Sequence, residues 1–214
     1  MDRDLSAYRK VYAKDRLLES DVPLDPLELF HRWFQEAERV GGLPEANAMS
    51  LSTIGQDGAP ETRVVLLKGY SVEGFVFYTH HRSRKGQAMA RDARVCLSFF
   101  WPDVQQQVIV KGRASKLSEK HSNEYFVQRP RNSQIGAWSS EQSQVIPSRA
   151  YLEEKFEIWK IYFETHPLEC PTFWGGYLVQ PYEIEFWQGR PDRLHDRLCY
   201  ILEGKEWQLK RYSP

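Results

Sequence analysis

Residues 61–80 read ETRVVLLKGYSVEGFVFYTH, and this stretch decides the fold. Val and Leu dominate its first half, a turn signal follows at Val72–Gly74, and aromatic and β-branched residues return in its second half. That composition predicts two strands separated by a short turn. Upstream, AMSLSTIG (48–55) runs into the turn signal QDGAP (56–60). Downstream, RVCLSFFW (94–101) and QQQVIVKGRASKL (105–117) read as two more strands parted by Pro102-Asp103. Strands this close, joined by short turns, predict an antiparallel sheet or barrel and not alternating βαβ units.

Helical spacing frames these strands. In DPLELFHRWFQEAERVGG (25–42), Asp25 suits a cap, Pro26 the first turn and Gly41-Gly42 the stop. Leu27, Phe30, Phe34 and Ala37 mark its apolar side, with His31 on the solvated side. HRSRKGQAMARD (81–92) reads as a loop and short helix, and helices return at SEKHSNEYFVQR (118–129) and SRAYLEEKFEIWKIYFETH (148–166). The tail gives strands near WGGYLVQPYEIEFWQG (174–189), RLCYILEG (197–204) and EWQLKRY (206–212). Residues 1–22 form a polar arm, and 23–214 read as one α+β domain with a β-barrel core.

Composition bounds the function. Lys plus Arg and Asp plus Glu both number 29 among 214 residues, giving zero formal net charge. Sequence-independent nucleic-acid binding needs excess positive charge, so no nucleic-acid partner is expected. No apolar run nears the roughly 18 residues of a membrane span, and the charged N-terminus lacks the apolar core of a secretory signal. A cytoplasmic protein is the expectation. Cys96, Cys170 and Cys199 form no CxxC pair and read as reduced, buried thiols. The histidines show no metal-ligand spacing.

Four stretches carry chemical potential. Ser83-Arg84-Lys85 follows a strand. With Ser83 as the cap, Arg84 and Lys85 oppose the helix dipole unless a phosphate relieves them. A solvated basic turn is the plainer alternative. In Arg63-Val64-Val65-Leu66-Leu67-Lys68, alternation sends Arg63 and Lys68 to opposite faces. They serve different parts of one ligand, or a bulge intervenes, or both are ordinary edge charges. Tyr125 and Arg129 lie one helical turn apart on a helix that stops before Pro130, with Ser133 on the following turn. A phenol, a guanidinium and a hydroxyl so gathered make a phosphate clamp. Last, Arg193, His195 and Arg197 alternate and share one face if their segment is a strand, a costly placement without an anion or electron-rich ring nearby. His195 and Asp196 are adjacent, so they give no sign of a His–Asp relay.

Taken together, RVVLLK, FYT, SRK, RPRNSQIGAW, EQS, FWGG, EFWQG and RLHDR resemble, in order and spacing, the pyridoxamine/pyridoxine 5'-phosphate oxidase family. The resemblance runs from about Tyr8 to the C-terminus. It implies an antiparallel, FMN-binding split β-barrel with peripheral helices, and a homodimer with FMN at the subunit interface. It implies FMN contacts from Arg63, Val64, Val65, Leu66, Leu67 and Lys68, from Tyr78, Thr79, Arg84 and Lys85, and from Gln107, Gln142, Ser143, Trp187 and Arg197. Lys68, Tyr125, Arg129 and Ser133 would meet the substrate phosphate. Arg193, Leu194 and His195 would lie by the pyridine ring, with Arg193 orienting it and His195 aiding placement or proton transfer. Arg9, Lys10, Val11 and Tyr12 would be lid contacts of the N-terminal arm.

The implied reaction oxidises pyridoxamine 5'-phosphate or pyridoxine 5'-phosphate to pyridoxal 5'-phosphate, with dioxygen reduced to hydrogen peroxide. Two other readings stand beside it. One is a related split-barrel oxidase acting on another aromatic substrate, such as a phenazine precursor. The other is a non-catalytic FMN- or vitamin-phosphate-binding protein.

Overall fold

The computed structural model describes residues 2–7, 11–40 and 45–214. The expected stop at Gly41-Gly42 and the lid contacts Arg9 and Lys10 lie outside them. Five helices are present among the described residues: α1 (Pro26–Val40), α2 (Arg84–Arg91), α3 (Glu119–Gln128), α4 (Arg131–Ser139) and α5 (Arg149–Thr165). Nine strands accompany them: β1 (Ala48–Ile54), β2 (Pro60–Leu66), β3 (Gly69–Ser71), β4 (Gly74–His80), β5 (Arg94–Trp101), β6 (Gln106–Lys116), β7 (Trp174–Gln188), β8 (Asp196–Glu203) and β9 (Glu206–Tyr212). The strand order is β2-β1-β5-β6-β7-β4-β3, with β8 pairing β7 and β9 pairing β8.

Contacts divide the chain into two compact units. The first gathers 1–49, 97–111 and 181–214. Its core is aromatic: Phe30 lies 5.2 Å from Phe99, and Trp33 meets Phe186 edge-on at 5.2 Å. Phe30, Phe99 and Phe186 are fully buried. Removing such side chains from water supplies roughly 2–3 kcal/mol apiece. The buried stripe of α1 is Pro26, Leu29, Phe30, Trp33 and Ala37. Leu27 and Phe34, expected on that stripe, are only half-buried, because the helix is rotated to seat Trp33 on Phe186. The start is as expected: Asp25 Oδ1 accepts from Leu27 N at 2.9 Å. Antiparallel β7–β8 and β8–β9 pairings complete the unit, with Trp187 opposite Arg197.

The second unit gathers 50–96 and 112–180. Antiparallel β4 pairs with β7, Tyr78 facing Gly176 and Thr79 facing Gly175. Ser83 caps α2, its Oγ accepting from Gly86 N at 3.3 Å and donating to His80 O at 2.7 Å. That cap needs Gly86, since a Cβ there would stand 2.2 Å from His81 O. The strand expected to run through Leu67 and Lys68 instead ends at Leu66, and Lys68 N donates to Val76 O at 2.8 Å.

Two further segments depart from expectation. The stretch after Pro130 is α4, not a turn; Pro130 O accepts from Ser133 N and Gln134 N. Its weak amphipathic pattern and internal Gly136 hid it from the sequence reading. Arg193 and His195 are not on a strand with Arg197. Pro191–Arg193 is a tight turn in which Asp192 (φ 57°) and Arg193 (φ 62°) take left-handed conformations, and β8 begins only at Asp196. Strand alternation therefore says nothing about where Arg193 points.

Cys199 is buried, and Cys96 and Cys170 are half-buried. Burial pushes Cys170 and Cys199 up to about 11. Among the described residues no helix is long and apolar enough to cross a membrane, and no group of His, Cys, Asp and Glu is placed to hold a metal ion.

Candidate active site

A cavity of about 770 Å³ opens in the second unit. Strand β2 and the residues after it supply Val64, Val65, Leu66 and Lys68, and β4 supplies Tyr78, Thr79 and His80. The α3–α4 corner adds Tyr125, Arg129 and Ser133, while Lys85 and Gln142 close one end. Residues far apart in sequence meet here because β4 and β7 pair in register while α3 and α4 fold back at Pro130.

One wall is aromatic. Tyr78 stacks on Tyr125 at 3.9 Å, and Trp174 lies 5.5 Å from Tyr78 at an interplanar angle of 14°. The Arg129 guanidinium sits 4.6 Å over the Trp174 ring, a cation–π placement that fixes its plane. Burial lowers the Arg129 pKa, and its Nη1 is buried without a hydrogen-bond partner. A buried guanidinium donor left unmatched is costly, so it marks a place for an acceptor. Lys68, Tyr125 and Ser133 line the same cavity and bring further donors. Arg129 itself is the residue that ends α3, in extended conformation, and not a member of the helix as its spacing suggested.

The other end is cationic. Lys85 is buried, and its Nζ donates to Gln142 Oε1 at 2.8 Å, an oxygen that also accepts from Thr79 Oγ1 at 3.2 Å. Burial, with repulsion from Arg63, pushes Lys85 down to about 8. Arg84 N donates to Ser143 Oγ at 3.2 Å. Arg63, Arg84, Lys85 and Ser143, together with Glu61 and Thr62, line an adjoining depression of about 360 Å³. Arg63 is already held by Thr53 Oγ1 at 2.7 Å and Glu61 at 3.0 Å, and burial lowers its pKa. Buried Lys85, with an uncharged amide for its hydrogen-bond partner, fits an anionic group such as the phosphate of FMN.

Of the expected 63–68 run, Leu67 is buried away from the cavity lining. Trp174 and His80 line the cavity without having been singled out. Trp174 lies within FWGG, so its signal was in plain view. His80 had none beyond its place at a strand end; burial and its cationic neighbours Arg82 and Lys85 lower its pKa.

The remaining expected residues lie in the first unit. His195 lies 4.7 Å from Trp187, and Tyr12 meets both rings edge-on at 5.7 and 5.8 Å. Arg190 N donates to His195 Nδ1 at 3.0 Å. Arg193 and Leu194 are exposed beside it, as is Val11 on the N-terminal segment, and half-buried Gln107 lies on β6. Arg197 is not the unpaired cation its sequence position suggested. Its Nε and Nη2 donate to the two carboxylate oxygens of Glu185, both at 2.9 Å, and Nη1 donates to Ser213 O.

Residues 35–163 match the family model described as pyridoxamine 5'-phosphate oxidase. The chain belongs to the pyridoxamine 5'-phosphate oxidase family. Residues 174–214 match the C-terminal dimerisation region of pyridoxine 5'-phosphate oxidase. Among relatives of the family, the pyridoxine/pyridoxamine 5'-phosphate oxidase of Flavobacterium johnsoniae is 54% identical, covering 98% of this chain and 99% of its own length. That of Rubrobacter xylanophilus is 48% identical over 99% of this chain and 97% of its own. The crystal structure of PhzG from Burkholderia lata 383, in complex with tetrahydrophenazine-1-carboxylic acid, matches with TM-score 0.86 at 28% identity, over 94% of this chain and all of its own. A pyridoxamine 5'-phosphate oxidase-related, FMN-binding protein from Nostoc punctiforme shares the fold at TM-score 0.69 and 16% identity, over 90% of this chain and all of its own. The shared fold is the antiparallel split barrel expected from the sequence.

Proposed function

We propose that this chain is an FMN-dependent oxidase. It converts pyridoxamine 5'-phosphate and pyridoxine 5'-phosphate to pyridoxal 5'-phosphate in vitamin B6 salvage. The alcohol and dioxygen give aldehyde and hydrogen peroxide; the amine additionally consumes water and releases ammonia. The observation that carries this reading is Arg129, whose buried Nη1 has no partner, lining one cavity together with Lys68, Tyr125 and Ser133. Such a set suits a phosphorylated substrate.

Lys85, Arg84, Arg63 and Ser143 would hold the FMN phosphate, with Val64, Val65, Leu66, Tyr78, Thr79 and Gln142 along the cofactor. When bound, FMN supplies the two-electron acceptor that dioxygen regenerates. The protein's own part is binding and orientation. The Tyr78–Tyr125–Trp174 wall excludes water on one side. Arg129 and its neighbours fix the substrate phosphate, which turns remote binding energy into alignment of the reacting carbon. Arg193 orients the pyridine ring, and His195 donates a hydrogen bond beside it. Gln107, Trp187 and Arg197 complete the cofactor site, with Arg197 held in place by Glu185. The match to a dimerisation region supports a homodimer, and in this reading its active sites lie at the subunit interface. Cytoplasmic location belongs to the same reading.

The test is anaerobic addition of pyridoxine 5'-phosphate to FMN-loaded protein, followed by flavin absorbance. Bleaching, with recovery in air, is expected. No bleaching with FMN bound overturns the proposal, and bleaching only by unphosphorylated aromatic substrates points to a related oxidase.

A further inference from the structure

The N-terminal segment Val11–Leu17 has no helix or strand of its own, yet it is seated on the first unit. Ordering such a stretch costs backbone entropy, so named contacts must hold it. Leu17 is buried, and its N donates to Asp196 Oδ2 at 3.1 Å. Asp15 O accepts from Arg190 Nη1 at 3.1 Å. Nearest the aromatic cluster, one atom serves two donors: Gln105 Oε1 accepts from Ala13 N at 2.9 Å and Lys14 N at 3.2 Å.

Gln105 is unusual in its own right. It is buried, and its φ of 59° is left-handed, a conformation that a residue other than glycine keeps only where its surroundings demand it. Its carbonyl accepts from Gly189 N at 2.8 Å and from Gln188 Nε2 at 3.3 Å. The residue thus holds the end of β7 with its backbone and the N-terminal segment with its side chain. Between those holds lies Tyr12, edge-on to Trp187 and His195. Its seat is cut to shape: a Cβ on Gly189 would stand 2.8 Å from the Tyr12 ring.

We propose that Gln105 is a positioning residue that fastens the N-terminal segment, so that Tyr12 covers the Trp187–His195 face where substrate is handled. The kinetic part rests on the oxidase reading above; the fastening does not. Gln105 touches neither cavity nor reacting atoms and acts through Tyr12.

Two variants of the FMN-loaded protein test it. Gln105→Gly keeps the left-handed backbone comfortable and deletes the acceptor. Gln105→Glu keeps an acceptor oxygen at the same reach. Amide exchange at Ala13 and Lys14 is expected to quicken about tenfold in Gln105→Gly, as for loss of a hydrogen bond, and to stay near wild type in Gln105→Glu. Kinetically, Gln105→Gly is expected to raise KM for pyridoxine 5'-phosphate about tenfold with kcat and FMN affinity within about twofold, and Gln105→Glu to restore KM. Unchanged exchange in Gln105→Gly overturns the fastening. Faster exchange with an unchanged KM, or with FMN affinity lost in step, overturns the positioning role. A wild-type protein that turns over no substrate defeats the oxidase reading, and the exchange data then decide the fastening alone.

Discussion

The backbone N–H of Arg190 points at His195 Nδ1 from 3.0 Å. An Nδ1 that accepts a hydrogen bond carries no proton, so neutral His195 holds its proton on Nε2 and offers a donor there. Nitrogen-15 NMR of the imidazole is expected to show a protonated Nε2 and a bare Nδ1. The reverse pattern would remove the donor role. His195→Gln, which keeps an N–H near Nε2, should retain at least about a tenth of the activity, whereas His195→Ala should lose about a hundredfold, in line with a lost hydrogen bond to a charged partner.

Lys85 is expected to tie FMN affinity to pH. Burial and Arg63 bring this amine down to about 8 in the protein without an anion, and an anion binds the protonated form. FMN affinity is therefore expected to be flat below pH 8 and to weaken above it, with the slope abolished in Lys85→Met. The same shift has a second consequence. Because the folded value is depressed from 10.5 to about 8, the unfolded chain binds more protons between them, so stability of the FMN-free protein should gain from this residue as pH rises through that window. Titrating FMN fluorescence quenching from pH 6 to 10 checks the first; denaturant melts across the same range check the second.

Arg129 is expected to act on substrate and not on cofactor. Arg129→Ala removes the buried Nη1 donor and its stack over Trp174. Loss of a charge-assisted contact to phosphate is worth about 1.5–3 kcal/mol, so kcat/KM should fall roughly 10- to 150-fold. FMN affinity should stay within about twofold of wild type. A parallel loss of FMN binding would contradict this division of the cavity.

Phe30 tests the core independently of the site. It is fully buried against Phe99 and Trp101. Phe30→Ala should cost about 3–5 kcal/mol, because the removed ring leaves a cavity that the neighbours only partly fill. A urea midpoint unchanged from wild type would show that this aromatic cluster is not what holds the unit together.

Much of this was legible in the chain. The tight turn between β3 and β4 and the cap at Ser83 depend on neighbours a few positions away, where pattern and turn chemistry speak directly; the pairing of β2 with β1, at the far end of the sheet from β4, does not. The motifs made Lys85 and Arg129 candidates for binding phosphate, but did not show their burial. Four things were not readable: the rotation of α1, the helix after Pro130, the end of β2 at Leu66 and the left-handed turn at Asp192–Arg193. Each is settled by packing or by a backbone conformation that local propensity disfavours, so local signals pointed elsewhere.

The sequence by itself determined that the strands are short and antiparallel, where α1, α2, α3 and α5 begin, the family, and which residues are candidates for binding phosphate. These follow from periodicity, turn residues and motifs, which are properties of adjacent positions. Only the tertiary structure decided which charges are spoken for. It gave Arg197 to Glu185, left Arg129 Nη1 without a partner, and set Gln105 under Ala13 and Lys14. Those outcomes join residues up to 92 positions apart, and strand register and burial choose among partners that the linear chain leaves equally available.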